Sequence, residues 1–111
     1  MLVETPAQPH PKHTGIPHAL NAAAWAIVDP ESSIEDRRLD LAMGAALLAN
    51  KLTRNRDAAM IDTLARCHAW SGNYKKALSL QKRAVRLAPD NNKSTYQSTL
   101  REYKRDLKAN R

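Results

Sequence analysis

Along most of the chain, apolar residues recur at the three- and four-residue spacing of an amphipathic helix. In the second of these stretches, for example, Leu39, Ala42, Ala46 and Ala49 keep that spacing. No stretch shows the apolar and polar alternation that is typical of a half-buried strand. The pattern predicts an all-α protein with five helices, at residues 19–28, 35–52, 57–70, 74–87 and 93–108.

Residues that favour helix ends lie between these stretches. Pro30 ends the first helix, because proline disfavours helical geometry in the residue before it. Ser32 or Ser33 is expected to cap the second helix and Asp57 the third, since their side chains can accept hydrogen bonds from free backbone N–H groups. Gly72 then ends the third helix, because glycine readily adopts left-handed geometry.

The fifth helix, which Ser94 or Thr95 is expected to cap, differs from the others. Its apolar residues form a single stripe, which consists of Tyr96, Leu100, Tyr103 and Leu107. A single stripe can pack against one neighbour only, so we expect this helix to end the stack.

Residues 1–18 have a different composition. Four prolines and Gly15 lie between residues 5 and 18, a density that argues against a helix and predicts a disordered tail or linker. His10, His13 and His18 lie in the same segment. We do not expect them to bind a metal, because a proline-rich segment does not hold ligands in a fixed geometry.

The third and fourth helices carry the pattern of a known repeat. Residues stand at the expected spacings, namely Ile61, Leu64, Ala65, His68, Ala77, Gln81 and Pro89, although His68 and Gln81 replace aromatic residues of the repeat pattern. The first two helices match less closely, through Leu20, Ala23, Ala24, Ile27, Ala42 and Ala46. The chain therefore resembles the tetratricopeptide repeat family. The resemblance implies a right-handed α-solenoid of antiparallel helix hairpins, with repeats at 19–56 and 57–92 and a capping helix at 93–108.

Members of that family bind peptides or partner helices in a concave groove, and the resemblance implies the same role here. Carried onto this chain, the residues that line the groove are Asn21, Trp25, Val28, Asp62, Arg66, Ala69 and Trp70. Two alternatives stay open for them. Each tryptophan can instead pack in the core, and Asp62 with Arg66 can be an exposed ion pair of little energetic value.

Charge is distributed unevenly along the chain. Residues 1–65 contain six Lys or Arg and eight Asp or Glu, whereas residues 66–111 contain twelve and three. This asymmetry suggests an alternative function, the binding of nucleic acid or another anionic surface by the last two helices. The basic residues concerned are Lys75, Lys82, Arg83, Arg86, Arg101, Lys104 and Arg105. Tyr96 and Tyr103 share the apolar stripe, so we expect them to be buried rather than offered to bases.

The sequence contains no motif that predicts catalysis, a cofactor or a metal site. Cys67 and His68 are adjacent on a helix, so their side chains diverge, and we expect both to be structural. No segment has the apolar length of a membrane span or the pattern of a signal peptide, so the expected location is cytoplasmic. Two repeats bury little core. We therefore expect a homodimer, or attachment to a larger chain through the N-terminal segment.

Overall fold

A computed structural model describes residues 11–110 of the chain, with side chains from residue 15 onward. These residues form five helices and no strand. The all-α prediction with five helices is therefore confirmed for the described part of the chain. The helices are α1 (Pro11–Val28), α2 (Leu39–Leu52), α3 (Ala58–Trp70), α4 (Tyr74–Leu87) and α5 (Asp90–Ala109).

The ends of α3 and α4 follow the sequence signals. The Asp57 carboxylate accepts hydrogen bonds from the backbone N–H groups of Ala59 and Met60, at 3.0 and 3.2 Å. Gly72 has a φ of +82°, the left-handed geometry expected after α3. The Asn73 side chain then caps α4. The short connection between these two helices is thus set by local residue chemistry.

The first helix begins earlier than the sequence predicts. α1 begins at Pro11 instead of residue 19, so residues 11–18 are helical and the predicted tail is wrong for that part. Pro11 is tolerated because the first helical N–H needs no partner. Pro17 lies in the helix interior, where proline removes a hydrogen bond, but its ring is fully buried, and burial of apolar surface acts against this loss. Residues 1–10, and the side chain of His13, lie outside the described part.

Two other helix starts also differ from the prediction. α2 begins at Leu39 instead of Glu35, and neither Ser32 nor Ser33 caps it. The reason is Arg37, whose guanidinium hydrogen bonds hold the residues before α2 in an irregular loop. α5 begins at Asp90 instead of residue 93, because Pro89 is extended and the Asp90 carboxylate suits the positive end of the helix.

Each helix packs against the next one along the chain, and α1 also contacts α3. Alanine dominates the contacts, and several alanines are completely buried, including Ala24, Ala42, Ala65, Ala77 and Ala84. Small side chains let helix axes approach closely. The core is divided into three clusters, one between α1, α2 and α3 and two between α3, α4 and α5.

Candidate functional site

The surface at the end of α3 is organised around Trp70. The indole is 41% exposed, although it is among the largest apolar side chains in the protein. Its Nε1–H donates a hydrogen bond of 2.7 Å to the carbonyl oxygen of Val28, at the end of α1. The exposed ring is therefore held in one orientation by the neighbouring helix.

Arg37 fixes the same ring from the loop between α1 and α2. Its guanidinium carbon lies 4.1 Å from the centroid of the Trp70 ring, which is a cation–π contact. The guanidinium also donates hydrogen bonds to the carbonyls of Ile27, Asp29 and Ser32, at 2.7, 3.0 and 2.8 Å. Because Arg37 is anchored to three backbone carbonyls, Trp70 is supported by a rigid group rather than by a mobile surface side chain.

A cavity of about 190 Å³ lies beside Trp70. Its lining comes from the loop after α1 and from α3, α4 and α5, and consists of Pro30, Arg66, Ala69, Trp70, Tyr74, Glu102 and Asp106. The volume is below the roughly 300–1,000 Å³ of sites that enclose whole small ligands. The cavity therefore suits one side chain of a larger partner better than a cofactor.

An ion pair forms one wall of this cavity. Arg66 donates to both carboxylate oxygens of Glu102, with distances of 2.8 and 3.3 Å, so the pair is bidentate. The Arg66 guanidinium also lies 5.0 Å from the centroid of the Tyr103 ring. Tyr103 belongs to α5, and its side chain is completely buried. These contacts join α3 to α5 and keep the wall of the cavity in place.

Asp62 does not take part in this wall. Its carboxylate accepts a hydrogen bond of 2.9 Å from the Gln81 amide, which also donates to the carbonyl of Tyr96. Burial raises the pKa of Asp62, against the opposing effects of the Gln81 hydrogen bond and the Arg66 charge. Asp62 and Arg66 are therefore not an exposed ion pair, because Asp62 is bound to the buried Gln81 and Arg66 to the half-buried Glu102.

The structure brings together only some of the residues that the resemblance assigned to a groove. Arg66, Ala69 and Trp70 line the cavity. The Val28 side chain is completely buried in the cluster between α1, α2 and α3, and the half-buried Trp25 packs against that cluster. Val28 therefore belongs to the core rather than to a binding surface, and only its carbonyl reaches the site. Asn21 is half-buried, and its Oδ1 has no hydrogen-bond partner among the described residues.

Sequence reasoning missed Arg37, Tyr74, Glu102 and Asp106. Arg37 lies in a polar loop, and nothing in the spacing shows that it reaches back to α1. Glu102 and Asp106 did carry a signal, because they are the only acidic residues of α5 beyond its first turn and lie four residues apart. An acidic pair in a basic helix indicates that one side of the helix has a different environment.

Most residues of the proposed basic face are exposed, whereas the two tyrosines of the α5 stripe are buried. Six of its seven residues are exposed, while Arg83 is half-buried and donates to the Asn55 carbonyl. Tyr96 and Tyr103 are buried, as expected. The cations could contact phosphates, but neither tyrosine is available to stack on a base.

The described residues contain no group of three or more His, Cys, Asp or Glu that could hold a metal ion. Cys67 is completely buried, and burial raises its pKa to about 11, so the thiol is protonated at neutral pH. Burial and the nearby Lys76 charge lower the pKa of His68. Among the helices described, none combines the length and the apolar character needed to cross a bilayer.

Comparison of the chain with protein-family models, with curated proteins and with solved structures gave no match. The geometry around Trp70 is therefore the basis on which a function can be proposed.

Proposed function

We propose that this chain is a protein-interaction module that binds a peptide segment or helix of another protein at the surface around Trp70. The observation that carries the proposal is the exposed but fixed Trp70 ring beside a cavity of side-chain size. Tryptophan and arginine dominate binding energies at protein interfaces, and a surface that is already ordered costs less entropy on binding. The proposed activity is binding, without a catalytic step or a cofactor.

We further propose that the helices form tetratricopeptide-like repeats. The packing supports this proposal, because sequential helices pack as hairpins and the first helices of the two hairpins, α1 and α3, also contact each other. Completely buried Ala24, Ala65, Ala77 and Ala84 stand where the resemblance calls for small residues. In such an arrangement α1, α3 and α5 share one side of the stack, and five of the seven residues that line the cavity belong to α3 and α5.

Selection of peptides from a random displayed library tests this function. Peptides enriched on the wild-type chain are expected to bind Trp70→Ala more weakly by about 2 kcal/mol, or roughly thirtyfold. Leu87→Ala is the matched control, since Leu87 is 42% exposed but lies at the end of α4, outside the cavity lining. Circular dichroism would establish that both variants keep their helices.

Two outcomes would count against the Trp70 surface. Peptides that bind Trp70→Ala as tightly as the wild type would place their site elsewhere. If the selection gives no peptide, while the chain retains an oligonucleotide with an affinity that falls steeply with salt, the basic face becomes the better proposal.

A further inference from the structure

A second and larger depression lies between α4 and α5. Its volume is about 470 Å³, and its lining consists of Leu78, Lys104, Arg105, Leu107 and Lys108. It shares no lining residue with the cavity beside Trp70. The two leucines are half-buried and form an apolar floor, whereas the three basic residues are exposed. We call this depression the α4–α5 groove.

Two of the three cations in the lining of the α4–α5 groove, Lys104 and Lys108, have no salt-bridge partner among the described residues. Lys104 and Lys108 are four residues apart and so lie on the same side of α5. Arg105 approaches Asp106 only at 3.9 Å, and its side chain is 73% exposed. The rim of the groove therefore carries positive charge that an acidic partner would neutralise.

The shape of the groove favours a helix as the occupant. α1 packs with α2 and α3 packs with α4, but α5 is the last described helix and has only α4 as an extensive neighbour. A helix laid along the groove would contact α4 and α5 together and would cover Leu78 and Leu107. The apolar floor argues against a nucleic acid. Charged phosphates and polar sugars that covered the leucines would lose contact with water at a cost in free energy.

We propose that the α4–α5 groove binds an acidic amphipathic helix of a partner protein. The apolar stripe of that helix packs on Leu78 and Leu107, and its carboxylates pair with Lys104 and Lys108. This site is independent of the surface around Trp70, so the chain can hold two partner segments at once.

Fluorescence anisotropy with two designed helical peptides tests the proposal. One peptide has a leucine stripe flanked by glutamates, and the other has the same stripe flanked by lysines. The acidic peptide is expected to bind and the basic one is not. In the double variant Lys104→Glu/Lys108→Glu, affinity for the acidic peptide is expected to fall by about tenfold or more, since two attractive contacts become repulsive.

The matched control is Lys51→Glu/Arg56→Glu, which changes the net charge equally at two exposed positions outside the groove lining. It is expected to bind the acidic peptide like the wild type. Amide chemical shifts in a titration of the labelled chain should change around Leu78 and Leu107. The same titration with Trp70→Ala should give unchanged affinity, which separates this site from the peptide surface.

Several results would overturn the proposal. Equal weakening in the two double variants would show a response to net charge alone. Shift changes centred on Trp70 would place the peptide in the other site. Tighter binding of a single-stranded oligonucleotide than of the acidic peptide, lost with Lys104→Glu/Lys108→Glu, would assign the groove to nucleic acid. A wild-type dimer that this variant converts to monomer would make a second copy the occupant.

Discussion

At the scale of single residues, Arg37 connects the fold to the candidate site. It joins the end of α1 to the loop before α2 through three carbonyl oxygens, and it covers one side of the Trp70 ring. Neither role can be read from the sequence, because both depend on a side chain that reaches back up to ten residues along the chain. The neighbouring Arg38 shows the contrast, since among the described residues its ion pair is with the exposed Asp40.

We expect Arg37→Ala to lower the free energy of unfolding by about 1–3 kcal/mol, because three carbonyls lose a charged donor and Trp70 loses its cation–π partner. Urea denaturation measures the loss. In a Trp25→Phe background, the Trp70 emission should also shift as the ring gains freedom. Arg38→Ala is the control and should cost no more than about 1 kcal/mol. Similar losses in both variants would contradict the anchoring role of Arg37.

Asp62 gives a prediction with a defined pH dependence. Its folded-state pKa is raised above the ordinary value of 3.8, mainly because the carboxylate is buried. The charged form is therefore disfavoured in the folded chain. The resulting loss of folding stability is fully present at a pH above the folded pKa and absent below pH 3.8. Asp62→Asn keeps an oxygen that can accept from Gln81 but removes the charge. We expect this variant to be more stable than the wild type at pH 7.

The stability gain of Asp62→Asn should shrink as the pH falls through the folded pKa of Asp62. Urea unfolding at pH 7 and pH 4 measures this change. Asp36→Asn is the control, because Asp36 is exposed in the loop before α2 and should show little effect at either pH. An Asp62→Asn variant that is less stable at pH 7 would mean that the Arg66 charge outweighs burial.

At the scale of helices, the sequence predicts those boundaries that depend on neighbouring residues. Asp57, Gly72 and Asn73 act within three residues of the helix end that they define, so spacing alone locates those ends. The start of α1 could not be found this way, because Pro17 becomes acceptable only through burial of its ring. The start of α2 depends on Arg37, whose partners lie at the end of α1.

The candidate site likewise contains residues that the sequence predicts and others that it does not. Helical spacing placed Arg66, Ala69 and Trp70 on one helix, and all three line the cavity. The partner of Arg66 was not predictable, since Glu102 is thirty-six residues away and is reached only because α5, which packs on α4, comes close to this part of α3. The burial of Val28 likewise depends on how α1 rotates against α2 and α3, which periodicity does not specify to within one residue.

Loss of the α3 cap gives a prediction at this scale. Asp57→Ala leaves the N–H groups of Ala59 and Met60 without their acceptor, so we expect the free energy of unfolding to fall by about 1 kcal/mol. Asp57→Asn should recover most of this loss, because asparagine caps helices as well as aspartate. Thermal unfolding followed by circular dichroism compares the two variants. Equal losses would mean that the negative charge, rather than the hydrogen bond, stabilises α3.

At the scale of the whole molecule, the two halves of the chain present different surfaces. The last two helices are strongly basic, and the depression between them is rimmed by cations. α2 instead exposes three leucines, which are Leu41, Leu47 and Leu48 at 54%, 51% and 45%. Leu41 and Leu48 are seven residues apart, so they lie on the same side of the helix. Exposed leucines on one helix side are typical of a contact surface rather than of a solvated helix.

We expect α2 to mediate self-association, because residues 1–65 carry a net charge of only −2 and two copies would repel each other weakly there. Sedimentation equilibrium of the wild type should show a dimer that dissociates in Leu41→Lys/Leu48→Lys. Leu87→Lys at the end of α4 adds charge at a similarly exposed leucine and should leave the dimer intact.

A monomer at all concentrations would contradict this expectation. A dimer that persists in the double variant would place the contact elsewhere, and the α4–α5 groove would then be tested next by the same method. Because α2 and the α4–α5 groove belong to different helices, a dimer through α2 leaves the proposed sites for partner segments open in both copies.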